Sequence, residues 1–167
     1  MKHIIAILSG ALITVSTLQA QNVVRGPYLQ FPTSSSMKVM WRTDAATESR
    51  VYYGPTLATV MDNYVDVAGS VTDHTVNITG LDAFTEYYYA VSDGSNVLAG
   101  ADANHRFRTS PTIGTVQPIR AWVIGDFGKG NDKQMDVKEA FLDHIGDDFP
   151  DMWLWLGDNA YEEGTDD

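Results

Sequence analysis

Two apolar runs in this chain end the same way. "IRAWVIGD" (Ile119–Asp126) and "DMWLWLGD" (Asp151–Asp158) are each nearly continuous in apolar residues and each close on Gly-Asp. Such runs suit strands of a parallel sheet, which is covered on both faces. Between them, Val137, Ala140, Phe141, His144 and Ile145 recur at helical intervals, so "NDKQMDVKEAFLDHI" reads as an amphipathic helix. Asn131 or Asp132 is placed to cap its start. Strand, helix and strand make a βαβ unit, whose strands run parallel with a right-handed connection. This constrains the fold more than any other feature, because parallel strands deliver their C-terminal ends to one edge.

Asp126 and Asp158 should therefore emerge side by side, at the edge where open α/β sheets bind ligands. Two like charges placed together need a cation between them, or one must hold a proton. A metal ion with hard oxygen ligands meets that need. Tyr161 lies three residues past Asp158, so its phenol can turn back to the same centre. A phenolate ligand calls for a strongly Lewis-acidic ion, and ferric iron is the natural candidate. Gly125, Gly128 and Gly157 are expected to let the backbone turn sharply and approach a bound group closely. From Ala121 onward there are 13 acidic residues against 3 lysines, so a solvated acidic face is the plainer reading of most of them. Glu162, Glu163, Asp166 and Asp167 are read that way. His144 is read as a packed histidine away from the strand ends. Lys129 is within reach of the site, although its spacing assigns it no task.

The preceding region has a different period. In "MKVMWRT" (Met37–Thr43), Met37, Val39 and Trp41 alternate with Lys38, Met40 and Arg42. "SRVYYG", "HTVNITGL", "EYYYAVSDG" and "HRFRTSP" continue as short runs rich in β-formers, separated by turn residues. Residues 22–110 thus read as an all-β sandwich. Ser92 to Asn96 carries a hairpin-turn signal. In "GLDAFTEYYYAV", Leu81 and Tyr87 resemble the tyrosine corner of fibronectin type III domains, in which a Tyr hydroxyl bonds back to the backbone. Trp41 is expected in the core, and Tyr87 and Tyr89 share one face and are expected there too. His74, His105 and Arg106 lack metal-ligand spacing and are read as structural. The Asn77–Thr79 glycosylation sequon falls inside a strand and carries little weight.

Residues 1–20 combine Lys2, an apolar run from Ile4 to Leu18, and Ala20 before Gln21, the pattern of a cleaved signal peptide. The run is short for a bilayer span of ~20 residues, and no cysteine is present to carry a lipid. A secreted or periplasmic protein is expected, with no stable membrane insertion. Loss of Lys2 takes the formal charge from −11 to −12, which argues against nucleic-acid partners. Without cysteines, stability must come from packed cores. The expected organisation is a signal peptide (1–20), a sandwich (22–110), a linker (111–118) and the start of an α/β domain (119–167).

"GDFG" (Gly125–Gly128) and "GDNAY" (Gly157–Tyr161) resemble the first two metal motifs of the purple acid phosphatases, in the metallophosphoesterase superfamily. "RGPYLQ" (Arg25–Gln30) resembles the start of the fibronectin-III-like domain that precedes the catalytic domain in that family. The resemblance implies a dinuclear centre, Fe(III) plus a divalent ion (Fe, Zn or Mn). Within it, Asp126 resembles a terminal ligand of the ferric ion, Asp158 the bridging carboxylate, and Tyr161 the phenolate that gives the family its colour. It implies hydrolysis of small phosphate monoesters. It also implies an asparagine and three histidines from motifs that these 167 residues do not contain. The chain is accordingly expected to be an N-terminal piece of the enzyme and to be inactive alone. Two other readings stay open: a secreted fibronectin-III-type binding module, which leaves the paired Gly-Asp ends as coincidence, and a dimetal phosphodiesterase or nuclease, which would use the same ligands.

Overall fold

The computed structural model describes residues 21–146 and 148–161. The leader assigned to residues 1–20 and the acidic residues after Tyr161 lie outside the described residues. Six antiparallel strands come first: β1 (Val23–Gln30), β2 (Ser36–Gly54), β3 (Asn63–Thr79), β4 (Glu86–Ser92), β5 (Val97–Gly100) and β6 (Arg106–Arg108). They form one hydrogen-bonded sheet that folds over on itself as a sandwich. The first half of β2 pairs with β1 and with the end of β3, from Met37↔Ile78 to Arg42↔Asp73. Its second half pairs with the beginning of β3 and with β4, through Val51↔Val65 and Val51↔Val91. The register shifts between Arg42 and Ser49 mark where both long strands pass from one layer to the other.

Alternation explains the core. Met37, Val39 and Trp41 on β2 face Val76 and Ile78 on β3 in one layer, and Val51, Tyr87, Tyr89, Val91 and Phe107 come from the other. The tyrosine corner is present: the Asp82 N–H donates to the Tyr87 hydroxyl at 3.0 Å. The Asp93 N–H closes the predicted hairpin on the Asn96 carbonyl at 3.2 Å. This is the sandwich that the periodicity predicts, with the fibronectin-III-like corner that the resemblance at Leu81 and Tyr87 implies. The strands are longer than their alternating cores, however. "TDAATES" reads as a turn, yet β2 runs through it, and the polar Asn63–Asp73 stretch extends β3.

The crossing of β2 and β3 buries polar groups: Thr43, Ser49 and His74 satisfy one another, while Trp41 Nε1 is buried without a hydrogen-bond partner among the described residues. His74 stacks on its cross-strand neighbour Trp41, with ring centroids 4.5 Å apart. Thr43 Oγ1 donates to the Ala45 carbonyl at 2.7 Å, so it must accept from His74 Nε2 at 2.9 Å. Ser49 Oγ then donates to Nδ1 at 2.8 Å. The network thus holds the neutral Nε2–H tautomer. Burial lowers the His74 pKa below its usual 6.5 against the opposing pull of Asp73. The unfolded chain then binds the proton more readily than the native one, so His74 contributes stability that is full above ~6.5 and is lost as pH falls through the lower native value. The expected result is a melting temperature that declines from about pH 7 to about pH 5, with a shallower decline in His74→Gln. Calorimetry across that range checks it, and equal slopes would refute it.

After Pro118 come β7 (Ala121–Ile124), α1 (Asp132–Ile145) and β8 (Met152–Trp155). β7 and β8 are parallel and in register from Ala121↔Met152 to Ile124↔Trp155. Asn131 caps α1, its side chain accepting from the Gln134 N–H at 3.3 Å. Phe141 lays α1 on Trp122 (3.9 Å between centroids), which stacks on Trp153 (4.8 Å). The opposite face, with Val123, Met152 and Leu154, is exposed. His144 is exposed as well, so its expected packing is corrected: the helical stripe is only partly covered among the described residues. At the N-terminal ends of the strands, Asp151 accepts from Arg108 Nη1 of the sandwich at 3.0 Å and from the Arg120 N–H at 2.9 Å. The Arg106 guanidinium lies 4.6 Å from the Phe149 ring centre. The sandwich therefore docks at the end of the small sheet opposite its Gly-Asp loops.

Candidate metal centre

The parallel ladder of β7 and β8 continues past the strands. The Leu156 N–H bonds to the Ile124 carbonyl at 2.9 Å and the Asp126 N–H to the Gly157 carbonyl at 3.2 Å. The Gly128 N–H then bonds to the Asp158 carbonyl at 3.0 Å, and the Tyr161 N–H to the Gly128 carbonyl at 2.8 Å. The two Gly-Asp loops are zipped together along their backbones. This follows from the register: strands that pair in parallel up to Ile124 and Trp155 leave their next residues abreast.

Gly128 makes the closest approach. A Cβ there would lie 2.2 Å from the Asn159 carbonyl carbon and 2.3 Å from the Ala160 nitrogen. The expected role of the glycines is refined accordingly. Gly128 is needed so that the chain can approach itself, and Gly157, at φ +118°, supplies the turn. The carboxylate-bearing residues themselves adopt left-handed backbone, Asp126 at φ 56° and Asp158 at φ 55°. Non-glycine residues in that region are uncommon and cluster at functional sites. The sequence gives no sign of this beyond the Gly-Asp pairs.

The Tyr161 hydroxyl donates to Asp158 Oδ2. That bond, with partial desolvation and the neighbouring charges of Asp158 and Asp126, pushes the phenol up to about 12. Both carboxylates thus act on one phenolic oxygen. All three side chains are solvent-accessible. No group of three or more His, Asp or Glu side chains placed to hold a metal occurs among the described residues. The cluster is two carboxylates and a phenol, a donor set of hard oxygens that fits a highly charged cation. Lys129 Nζ lies 5.0 Å from the centre of the Tyr161 ring.

A curled antiparallel sandwich leading into a βαβ unit, with acidic oxygens gathered at the carboxyl edge, defines the class: a β-sandwich followed by a βαβ unit of the α/β type. The family model of the purple acid phosphatase N-terminal domain matches residues 24–109, just over half of the chain. The protein belongs to that family. No curated protein sequence matches it. Among solved structures, PhoD aligns with a TM-score of 0.59 at 16% identity, covering 83% of this chain and 28% of the PhoD chain. A match of that extent takes in both the sandwich and the βαβ unit, and it shows a shared fold. The fn3 domain of the human collagen alpha-1(XX) chain aligns at a TM-score of 0.41 and 18% identity, covering 63% of this chain and 99% of the domain. The chain spans little more than a quarter of the PhoD structure that it matches. No helix among the described residues is long and apolar enough to cross a membrane.

Proposed function

We propose that the whole protein is an exported metallophosphoesterase of the purple acid phosphatase type, hydrolysing small phosphate monoesters at a dinuclear centre of Fe(III) and a divalent ion. The observation that carries this reading is the convergence of Asp126, Asp158 and Tyr161, forced by loops bonded backbone to backbone. Asp126 would be a terminal ligand of the ferric ion, Asp158 the bridging carboxylate and Tyr161 the phenolate. Bound there, the metals would supply Lewis-acid stabilisation of a phosphate and a water acidic enough to attack it.

The work of this chain is to hold oxygens in place. Both aspartates sit exposed at the sheet edge in left-handed backbone. Gly128 keeps the loops in contact, and the Asp158–Tyr161 bond aims the phenol at the same point. Helix α1 begins just past the first loop, and its N-terminal partial positive charge favours an anion nearby. The bare apolar face of Val123, Met152 and Leu154 fits a sheet that continues in the whole protein. The remaining ligands would come from there, so residues 1–167 alone should not turn over.

The test is hydrolysis of para-nitrophenyl phosphate and the visible spectrum of the iron-loaded full-length protein. Metal-dependent turnover and a visible charge-transfer band are expected, with the band abolished in Tyr161→Phe. A colourless, iron-free enzyme that hydrolyses diesters in preference to monoesters would instead favour the phosphodiesterase reading. A protein with neither turnover nor bound metal would favour a binding module.

A further inference from the structure

Lys129 is the chemically capable residue that the ligand set leaves unused. It follows Gly128, the residue clamped against Asn159 and Ala160, and its N–H bonds to the Phe127 carbonyl at 2.9 Å. Its backbone is therefore fixed by the same contact that joins the two loops. Its side chain is solvent-exposed and reaches across that junction, bringing the ammonium to 5.0 Å from the Tyr161 ring centre. A cation within about 6 Å of an aromatic face is attracted by the ring's π charge. An anionic phenolate ring attracts it more strongly than a neutral phenol, because a full charge then adds to the quadrupole.

We propose that Lys129 is a positioning residue for the Tyr161 phenolate: its ammonium holds the ring over the loop junction and draws down the energy of the phenolate's filled orbitals. The inference rests on the reading of Tyr161 as a ferric ligand. Were the phenolic oxygen to ligate, its proton would leave to solvent and its hydrogen bond to Asp158 Oδ2 would be given up. The ammonium then compensates the new negative charge without touching the oxygen. The geometry keeps Lys129 distinct from a ligand, since it addresses the ring and not the hydroxyl. A lowered donor orbital widens the gap for charge transfer from phenolate to metal. Lys129 therefore sets the colour of the site and not merely its presence.

The experiment compares visible spectra of the iron-loaded full-length protein as wild type, Lys129→Met, Lys129→Arg and Tyr161→Phe. Lys129 is exposed, so the substitutions leave the packing intact. The expected result is a band that moves to longer wavelength in Lys129→Met, stays near its wild-type position in Lys129→Arg, and vanishes in Tyr161→Phe. A Lys129→Met band at the wild-type wavelength overturns the role of Lys129 and leaves the phenolate assignment standing. A wild-type protein without the band, or a band that survives in Tyr161→Phe, overturns the phenolate assignment and this inference with it.

Discussion

Gly128→Ala disconnects the two Gly-Asp loops. The added Cβ would stand 2.2 Å from a backbone carbon and 2.5 Å from the Asn159 carbonyl oxygen. Neither neighbour is the tip of a flexible side chain, so the backbones must separate. The bonds from the Gly128 N–H to Asp158 and from the Tyr161 N–H to Gly128 stretch or break as they do. Both of the second loop's oxygens then move relative to Asp126. A displacement of about 1 Å at a site of this kind costs on the order of a hundredfold in rate, and iron retention should fall with it. Gly125→Ala is the matched control. Its Cβ would meet the Leu156 Cβ at 3.2 Å, a contact relieved by a shift of a few tenths of an ångström. Full-length variants assayed for bound iron and phosphatase turnover should separate the two substitutions sharply. Equal, small losses would show that the loops are not held by this contact.

Trp41→Ala has the largest expected effect on stability. Trp41 is 2% exposed, stacks in parallel on His74, and stands among Met37, Val39, Val76 and Ile78. Truncating a buried tryptophan costs about 3–5 kcal/mol in transfer and cavity terms. Domains of this size are stable by roughly 5–15 kcal/mol, so a large share is lost. The neighbouring polar network raises the cost further. Without the indole, one face of a buried imidazole opens, and its bonds to Thr43 and Ser49 lose their lid. Trp41→Phe keeps an aromatic face against His74 and should lose markedly less. Urea unfolding followed by circular dichroism measures both, and a Trp41→Ala midpoint close to wild type would contradict this account of the core.

The two halves of the fold were legible in the sequence for different reasons. Residues 37–43 alternate cleanly because one side of β2 is buried and the other is not, and the tyrosine corner needs only the spacing of Leu81 and Tyr87. The joining of the layers was not legible. Thr43 and Ser49 stand at the ends of runs that read as strands and Thr47 lies between them, yet all three are buried, and His74 on another strand completes the hydrogen bonds of Thr43 and Ser49. A partner 25 to 31 residues away leaves no trace in a local pattern. In the second half, the apolar runs located β7 and β8, and the Gly-Asp ends located the three oxygens. The left-handed backbone of the aspartates, the clearance at Gly128 and the reach of Lys129 across the loop junction emerge only from how the loops meet.

The most direct measurement is anomalous X-ray scattering at the iron edge from crystals of the full-length protein. The account predicts an iron peak within ligand distance of Asp126, Asp158 and Tyr161, with a second metal sharing the Asp158 carboxylate. Iron bound elsewhere, or carboxylates of Asp126 and Asp158 that no single ion can bridge, would contradict it.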